Sequence, residues 1–102
     1  MKSISAKSLH DKLRRGEDIQ LIDVRELWER EMFSLGGDSI PLQTIFQQIH
    51  LIQRDKPVVF YCEKGIRSQI AIQRLSAKYD FKNLINLEGG VSAWKQLGFE
   101  GE

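Results

Sequence analysis

The chain's only cysteine, Cys62, stands where an apolar stretch gives way to a polar one. The residues before it, Val58–Tyr61, are β-branched or aromatic, which predicts a strand. From Ser68 onward, apolar side chains recur at helical spacing, and these are Ile72, Leu75 and Tyr79. Ligands of parallel sheets bind beyond the carboxyl ends of the strands. The pattern therefore places the thiol of Cys62 in a tight turn between a strand and a helix, where a substrate could reach it.

The loop after Cys62 combines features that stabilise negative charge on sulfur, and a cysteine reacts as its thiolate. Gly65 lets the backbone curl so that successive amides point inward, and the following helix directs the positive end of its dipole at the same place. Lys64 and Arg67 add two cations, which Glu63 partly offsets. These features predict a nucleophilic cysteine. The alternative is that Cys62 is a small buried hydrophobic residue at a strand end.

The other chemically capable side chains indicate structural roles. A thiol protease or a histidine-containing metal site needs a histidine near Cys62, but His10 and His50 fall in separate predicted helices and form no ligand set with the cysteine. We therefore predict no metal and no cofactor. Asp23 ends a second apolar strand, and with Arg25 it is predicted to form a buried ion pair that supports the site.

Strands and helices alternate along the chain, which predicts an α/β fold with a mostly parallel sheet of five strands and helices on both faces. The predicted strands are residues 3–5, 19–24, 38–41, 58–61 and 84–87. The predicted helices are residues 6–15, 25–31, 42–52, 68–79 and 91–97. In the short second helix, Leu27, Trp28 and Met32 are expected to face the core, although Trp28 could instead line the mouth of a pocket. The segment 42–52 has the most regular helical pattern of the chain.

Length and composition limit the function classes. The 102 residues suffice for one domain, residues 1–102, without disulfides or a structural metal. The formal net charge is +1 and charges of both signs are spread along the chain, so we expect no nucleic-acid or membrane partner. The first residues lack the apolar core of a signal peptide, and a lone thiol is most easily kept reduced in a cytosol. We therefore expect a cytoplasmic protein.

Three segments resemble motifs of the rhodanese, or sulfurtransferase, family. In the family's active-site loop, Cys, four further residues and Arg precede Ser or Thr, and this pattern is matched by Cys62-Glu63-Lys64-Gly65-Ile66-Arg67-Ser68. Residues 21–26, LIDVRE, match the motif after the family's second strand, and residues 87–94, LEGGVSAW, match its C-terminal signature. Cysteine phosphatases are the nearest enzymatic alternative. Their loops hold one residue more between Cys and Arg, and the shorter loop of this chain suits a sulfur atom better than a phosphate.

The resemblance implies a three-layer α/β/α rhodanese-like fold and an enzyme in which Cys62 carries sulfur as a persulfide. The loop residues Glu63, Lys64, Gly65, Ile66, Arg67 and Ser68 would bind the substrate. The amides of this loop would hold the outer sulfur, while the side chains of Lys64 and Arg67 would bind an anionic donor such as thiosulfate. The donor would be such an anion or a persulfide, and the acceptor a thiol, cyanide or a sulfur-carrier protein. Some domains of the family lack the cysteine and only bind partners, so a non-catalytic binding module is the alternative.

The segment 32–41 departs from the family pattern. Most members carry Gly-His-Ile-Pro-Gly where this chain has Met-Phe-Ser-Leu-Gly-Gly at residues 32–37, which is one residue shorter. The form from Leu35 to Leu42 is similar to rhodanese domains fused to adenylyltransferases that prepare sulfur-carrier proteins for molybdopterin or thiamine synthesis. That similarity implies that the sulfur acceptor is a protein.

Overall fold

The computed structural model describes all 102 residues, and its strands and helices alternate along the chain as predicted. The strands are β1 (Lys2–Ile4), β2 (Gln20–Asp23), β3 (Asp38–Ser39), β4 (Val58–Tyr61) and β5 (Leu84–Leu87). The helices are α1 (Ala6–Arg14), α2 (Leu27–Met32), α3 (Ile66–Lys78) and α4 (Gly90–Gln96). Two short 3-10 turns, Leu42–Thr44 and Ile49–Leu51, lie between β3 and β4. None of the helices is both long and apolar enough to span a bilayer.

The five strands form one sheet in the order β1-β5-β4-β2-β3, and every pair is parallel. The prediction of a mostly parallel five-stranded sheet is confirmed. The central strand β4 pairs with β2, with Asp23 opposite Tyr61, and with β5, with Phe60 opposite Asn86. The carboxyl ends of these neighbouring strands therefore meet at one edge of the sheet, where β4 continues into Cys62.

Helices cover both faces of the sheet, which makes the three layers that the sequence predicts. Side chains of β4 alternate between the faces. Val58 and Phe60 pack in one core with residues of α3 and of the segment that contains the 3-10 turns, while Val59 and Tyr61 pack in a second core with α1 and α4. Because the central strand is buried on both sides, it is apolar along its whole length.

The prediction of a continuous helix over residues 42–52 is wrong. The backbone forms separate turns there, and Gln48 interrupts them with φ −117° and ψ 23°. The apolar face predicted for this segment is confirmed only in part, since Ile45 and Ile52 are buried in the core but Phe46 is 38% exposed. Residues spaced by three share a face in a 3-10 turn as well as in an α-helix, so the periodicity does not separate the two. Thr44 donates its hydroxyl to the carbonyl of Pro41 at 3.0 Å, and this local bond competes with regular helix formation.

The prediction that α2 faces the core with its apolar side is also wrong. Leu27, Trp28 and Met32 are all exposed, with Trp28 at 67% and Met32 at 80% of their full accessible surface. The helix lies beside the carboxyl edge of the sheet and turns charged side chains inward. Arg30 donates to the carbonyl of Gly37 at 2.6 Å, and Glu29 binds Arg67 of α3. Ion pairs and hydrogen bonds therefore decide the orientation of this helix.

The segment that departs from the family pattern is attached to the sheet through Tyr61. The amide of Leu35 donates to the Tyr61 hydroxyl at 3.2 Å, and that hydroxyl donates to the carbonyl of Gly36 at 2.8 Å. Burial raises the pKa of Tyr61, which keeps its hydroxyl protonated and able to donate. Gly37 has φ +82°, and a Cβ there would lie 2.3 Å from the carbonyl oxygen of Leu21. The two-glycine turn thus lets the chain pass close to β2 before it enters β3.

Candidate active site

Cys62 follows β4 directly and is only 1% exposed. Its sulfur accepts hydrogen bonds from the amide of Gly65 at 3.1 Å and from the amide of Ser68 at 3.4 Å. Gly65 has φ +89° and precedes α3, which begins at Ile66, two residues before the predicted start at Ser68. The burial agrees with the alternative that Cys62 is a core residue. The two backbone N–H groups directed at the sulfur nevertheless distinguish Cys62 from an ordinary core residue, because they stabilise negative charge on the sulfur.

The start of α4 holds the cysteine loop in place through backbone hydrogen bonds. The amides of Val91 and Ser92 donate to the carbonyls of Cys62 and Glu63, both at 2.9 Å. Gly90 has φ +57°, and a Cβ on it would lie 2.3 Å from the carbonyl oxygen of Cys62. No larger residue fits at this contact without displacing the loop. The C-terminal motif at residues 87–94 is therefore the support on which the cysteine loop rests.

A buried polar pair lies behind the sulfur, and sequence analysis identified only one of its members. The hydroxyl of Ser68 is 3.4 Å from the sulfur of Cys62 and donates to the side-chain oxygen of Asn86. Asn86 lies on β5 and is 3% exposed. The signal that could have identified it is a single amide inside an otherwise apolar strand, because a buried polar side chain requires a partner.

Asp23 and Arg25 form the buried ion pair that the sequence predicts. Both side chains are 1% exposed, and the Arg25 guanidinium donates to the two carboxylate oxygens of Asp23 at 3.0 and 2.9 Å. Burial disfavours the charge on Arg25, but the hydrogen bonds and the charge of Asp23 outweigh it and raise the guanidinium pKa. Arg25 also donates to Glu63 at 3.3 Å and to the carbonyl of Phe33 at 2.6 Å. The pair therefore joins the end of β2 to the cysteine loop.

Arg67, which the resemblance assigns to a donor anion, is already paired in this structure. Its two terminal nitrogens donate to the two carboxylate oxygens of Glu29, each at 2.7 Å. The hydrogen bond from Arg67 lowers the pKa of Glu29, and the hydrogen bond with Glu29 raises the pKa of Arg67. The pair therefore stabilises the fold at neutral pH and loses that contribution as the pH falls through the lowered pKa of Glu29.

The remaining candidates lie farther from the sulfur or on the surface. Lys64 is exposed and has no ion-pair partner, while the side chain of Ile66 is 65% exposed beside the loop. Among the six loop residues assigned to substrate binding, only Gly65 and Ser68 contact the sulfur, Gly65 through its amide and Ser68 through its amide and hydroxyl. His10 stacks on Phe99 with ring centroids 3.6 Å apart, away from the cysteine. No group of three or more His, Cys, Asp or Glu side chains is arranged to hold a metal.

Comparison with known proteins places these features in one family. The family model for the rhodanese-like domain matches residues 5–97. A rhodanese-like domain protein from Staphylococcus aureus has a solved structure that matches with a TM-score of 0.85 and 30% identity, covering all of this chain and 99% of the other. The putative sulfurtransferase YtwF of Bacillus subtilis is 34% identical over 96 residues, which are 93% of this chain and 91% of YtwF.

Other relatives are longer than this chain. The uncharacterized protein YqhL of Bacillus subtilis is 43% identical over 76 residues, which are 74% of this chain and 60% of YqhL. The probable adenylyltransferase/sulfurtransferase MoeZ of Mycobacterium tuberculosis is 29% identical over 99 residues, which are 93% of this chain and 25% of MoeZ. This chain thus corresponds to about a quarter of MoeZ and to three fifths of YqhL.

Proposed function

The chain belongs to the rhodanese-like domain family, and from that premise we propose that it is a sulfurtransferase in which Cys62 carries the transferred sulfur. One observation carries the proposal. The sulfur of the only cysteine receives two backbone N–H groups at the carboxyl end of the central strand. Those donors would stabilise negative charge at this position, first on the attacking sulfur of Cys62 and then next to the outer sulfur of its persulfide.

The proposed reaction has two displacement steps. In the first, the Cys62 thiolate attacks the outer sulfur of thiosulfate, the S–S bond of the donor breaks, and sulfite leaves with the bonding electron pair. In the second, cyanide attacks the outer sulfur of the Cys62 persulfide, and the thiolate of Cys62 leaves as thiocyanate forms. A covalent intermediate thus divides the transfer into two half-reactions. The amides of Gly65 and Ser68 hold the charged sulfur, and Asp23 with Arg25 fixes the loop that presents them.

The intermediate gives the direct test. Incubation with thiosulfate, or with a persulfide donor, is expected to increase the mass of the protein by one sulfur atom, because it has a single thiol. Cyanide should then remove that atom and release thiocyanate. The measurement is intact-protein mass spectrometry before and after each step. If neither donor changes the mass, the sulfurtransferase function is excluded and the chain is a non-catalytic binding module.

A sulfur-carrier protein is a second candidate for the acceptor. Support comes from the 29% identity with MoeZ, which is described as an adenylyltransferase/sulfurtransferase, and from the similarity at Leu35 to Leu42. A carrier protein supplied with its adenylyltransferase should then remove labelled sulfur from Cys62 faster than a free thiol does. The loss of label from the protein is the measurement. Equal rates with the carrier and with a small thiol would assign the domain to small acceptors.

A further inference from the structure

We propose that Glu29 selects the sulfur donor by occupying Arg67 and repelling dianions, so that the site prefers a persulfide to thiosulfate. This inference rests on the proposed function and names the donor class that the same site takes. Glu29 has no part in the motifs of the cysteine loop. It belongs to α2, and its carboxylate joins that helix to the start of α3.

The two N–H groups at the end of the Arg67 guanidinium are already in use. A guanidinium binds an oxyanion best with two parallel N–H groups, and the terminal nitrogens of Arg67 are both bonded to Glu29 at 2.7 Å. A guanidinium has five N–H groups, so a sulfonate that avoids these two is left with the side of the guanidinium, next to the carboxylate of Glu29. Thiosulfate must therefore displace that carboxylate or bind Arg67 beside it, against its negative charge.

Glu29 is also held in place by its own helix. Its side chain is only 12% exposed, and one of its carboxylate oxygens also accepts the amide of Glu26 at 3.1 Å, which closes the capping box of α2. Displacement from Arg67 would leave this carboxylate partly buried beside an incoming dianion. Both the lost hydrogen bonds and the like charge oppose thiosulfate.

Positive and negative side chains nearly balance across the whole site. Arg25 and Arg30 bind Asp23, and Arg67 binds Glu29. Glu63 lies beside Arg25, which leaves the exposed Lys64 as the only loop cation without an acidic partner. That single charge is balanced once Cys62 is a thiolate. The site thus offers little net attraction to a dianion.

A persulfide donor avoids this conflict because it has no sulfonate to place. The Cys62 thiolate attacks the outer sulfur of the donor RSSH, the S–S bond breaks, and RS⁻ leaves while the proton stays on the transferred sulfur. No oxyanion needs Arg67 in this step. The Arg67–Glu29 pair can therefore stay closed during transfer.

The Glu29→Gln variant tests the proposal. Glutamine keeps an oxygen for the Glu26 amide, so α2 retains its capping bond, but the negative charge is gone. We expect kcat/KM for thiosulfate to rise about tenfold, mainly through a lower KM. Removal of one like charge beside a bound anion is worth about tenfold in a partly exposed site. With mercaptoethanol persulfide, which carries no other charged group, kcat/KM should change by less than about twofold.

A matched control comes from the same helix. Glu31 is exposed and has no ion pair, so Glu31→Gln alters the net charge equally without reaching Arg67. Glu31→Gln should leave kcat/KM unchanged both with thiosulfate and with the persulfide. The double variant Glu29→Gln, Arg67→Gln should lose the gain with thiosulfate, because it removes the positive charge of Arg67 together with the negative charge of Glu29.

The outcomes separate this inference from the proposed function. If the native protein takes sulfur from neither donor, the sulfurtransferase function fails. If it takes sulfur from both, but Glu29→Gln changes the two rates equally or not at all, only the role of Glu29 is overturned. Should the variant be unstable, the salt dependence of the native protein replaces it. A strong fall of kcat/KM for thiosulfate with ionic strength would show net attraction and overturn the proposal, whereas a flat or rising dependence supports it.

Discussion

Replacement of Cys62 by serine is expected to abolish sulfur uptake from every donor. Thiocyanate formation should fall to the rate measured in buffer without protein, a loss of at least about a thousandfold. A serine hydroxyl is mostly protonated and cannot form a persulfide. No other thiol exists to replace it. Intact-protein mass after incubation with thiosulfate and with a persulfide measures the effect.

The fold of this variant should remain intact, which makes the loss specific. The serine oxygen can accept the amides of Gly65 and Ser68 that now donate to sulfur. We therefore expect the free energy of unfolding, measured in urea, to stay within about 1 kcal/mol of the native value. Any sulfur bound covalently by the folded serine variant would contradict the assignment of Cys62 as the carrier.

Much of the fold could be predicted from sequence because local pattern and tertiary environment agree in the central strands. Residues of β4 are apolar without interruption, as burial on both faces requires. The polar residues at the ends of these strands then had to meet at one edge of the sheet. The position of Cys62 and the Asp23–Arg25 pair could therefore be predicted from the sequence.

The prediction failed where polar contacts, and not apolar burial, orient an element. Helix α2 is six residues long, which is too short for its apolar face to decide how it packs. Glu29 binds Arg67, 38 residues later in the chain, and Arg30 binds the carbonyl of Gly37, and those bonds turn Trp28 toward solvent. Such pairings depend on tertiary distances, so a single sequence does not display them.

The candidate active site was likewise predicted only in part. The loop motif identified Gly65 and Ser68, which contact the sulfur through their amides. It also assigned Arg67 to the substrate without its partner Glu29, which lies 38 residues earlier in the chain. Asn86 was missed for a similar reason, since only the parallel pairing of β4 and β5 brings it near Ser68.

Removal of the guanidinium at position 25 should have the largest effect on stability. In Arg25→Met the methionine fills part of the same space, but the carboxylate of Asp23 stays buried without its main partner. Breaking a buried ion pair on one side costs about 3–5 kcal/mol. A domain of this size is stable by only about 5–15 kcal/mol, so the variant should lose a large share of its stability. Denaturation in urea at neutral pH, followed by circular dichroism, measures the change.

Arg30→Met is the matched control because Arg30 contacts the same carboxylate at 3.5 Å from a more exposed position, and we expect it to cost less than about 1.5 kcal/mol. The double variant Asp23→Asn, Arg25→Met removes both charges and should recover part of the loss of the single variant, since no uncompensated charge is then buried. A single-variant cost below about 1 kcal/mol would contradict the structural role assigned to the pair.

If Arg25→Met stays folded yet takes up no sulfur, Arg25 acts on the chemistry of the loop through Glu63 as well as on the fold. Sulfur uptake by the folded fraction at the native rate is the result that a purely supporting pair predicts.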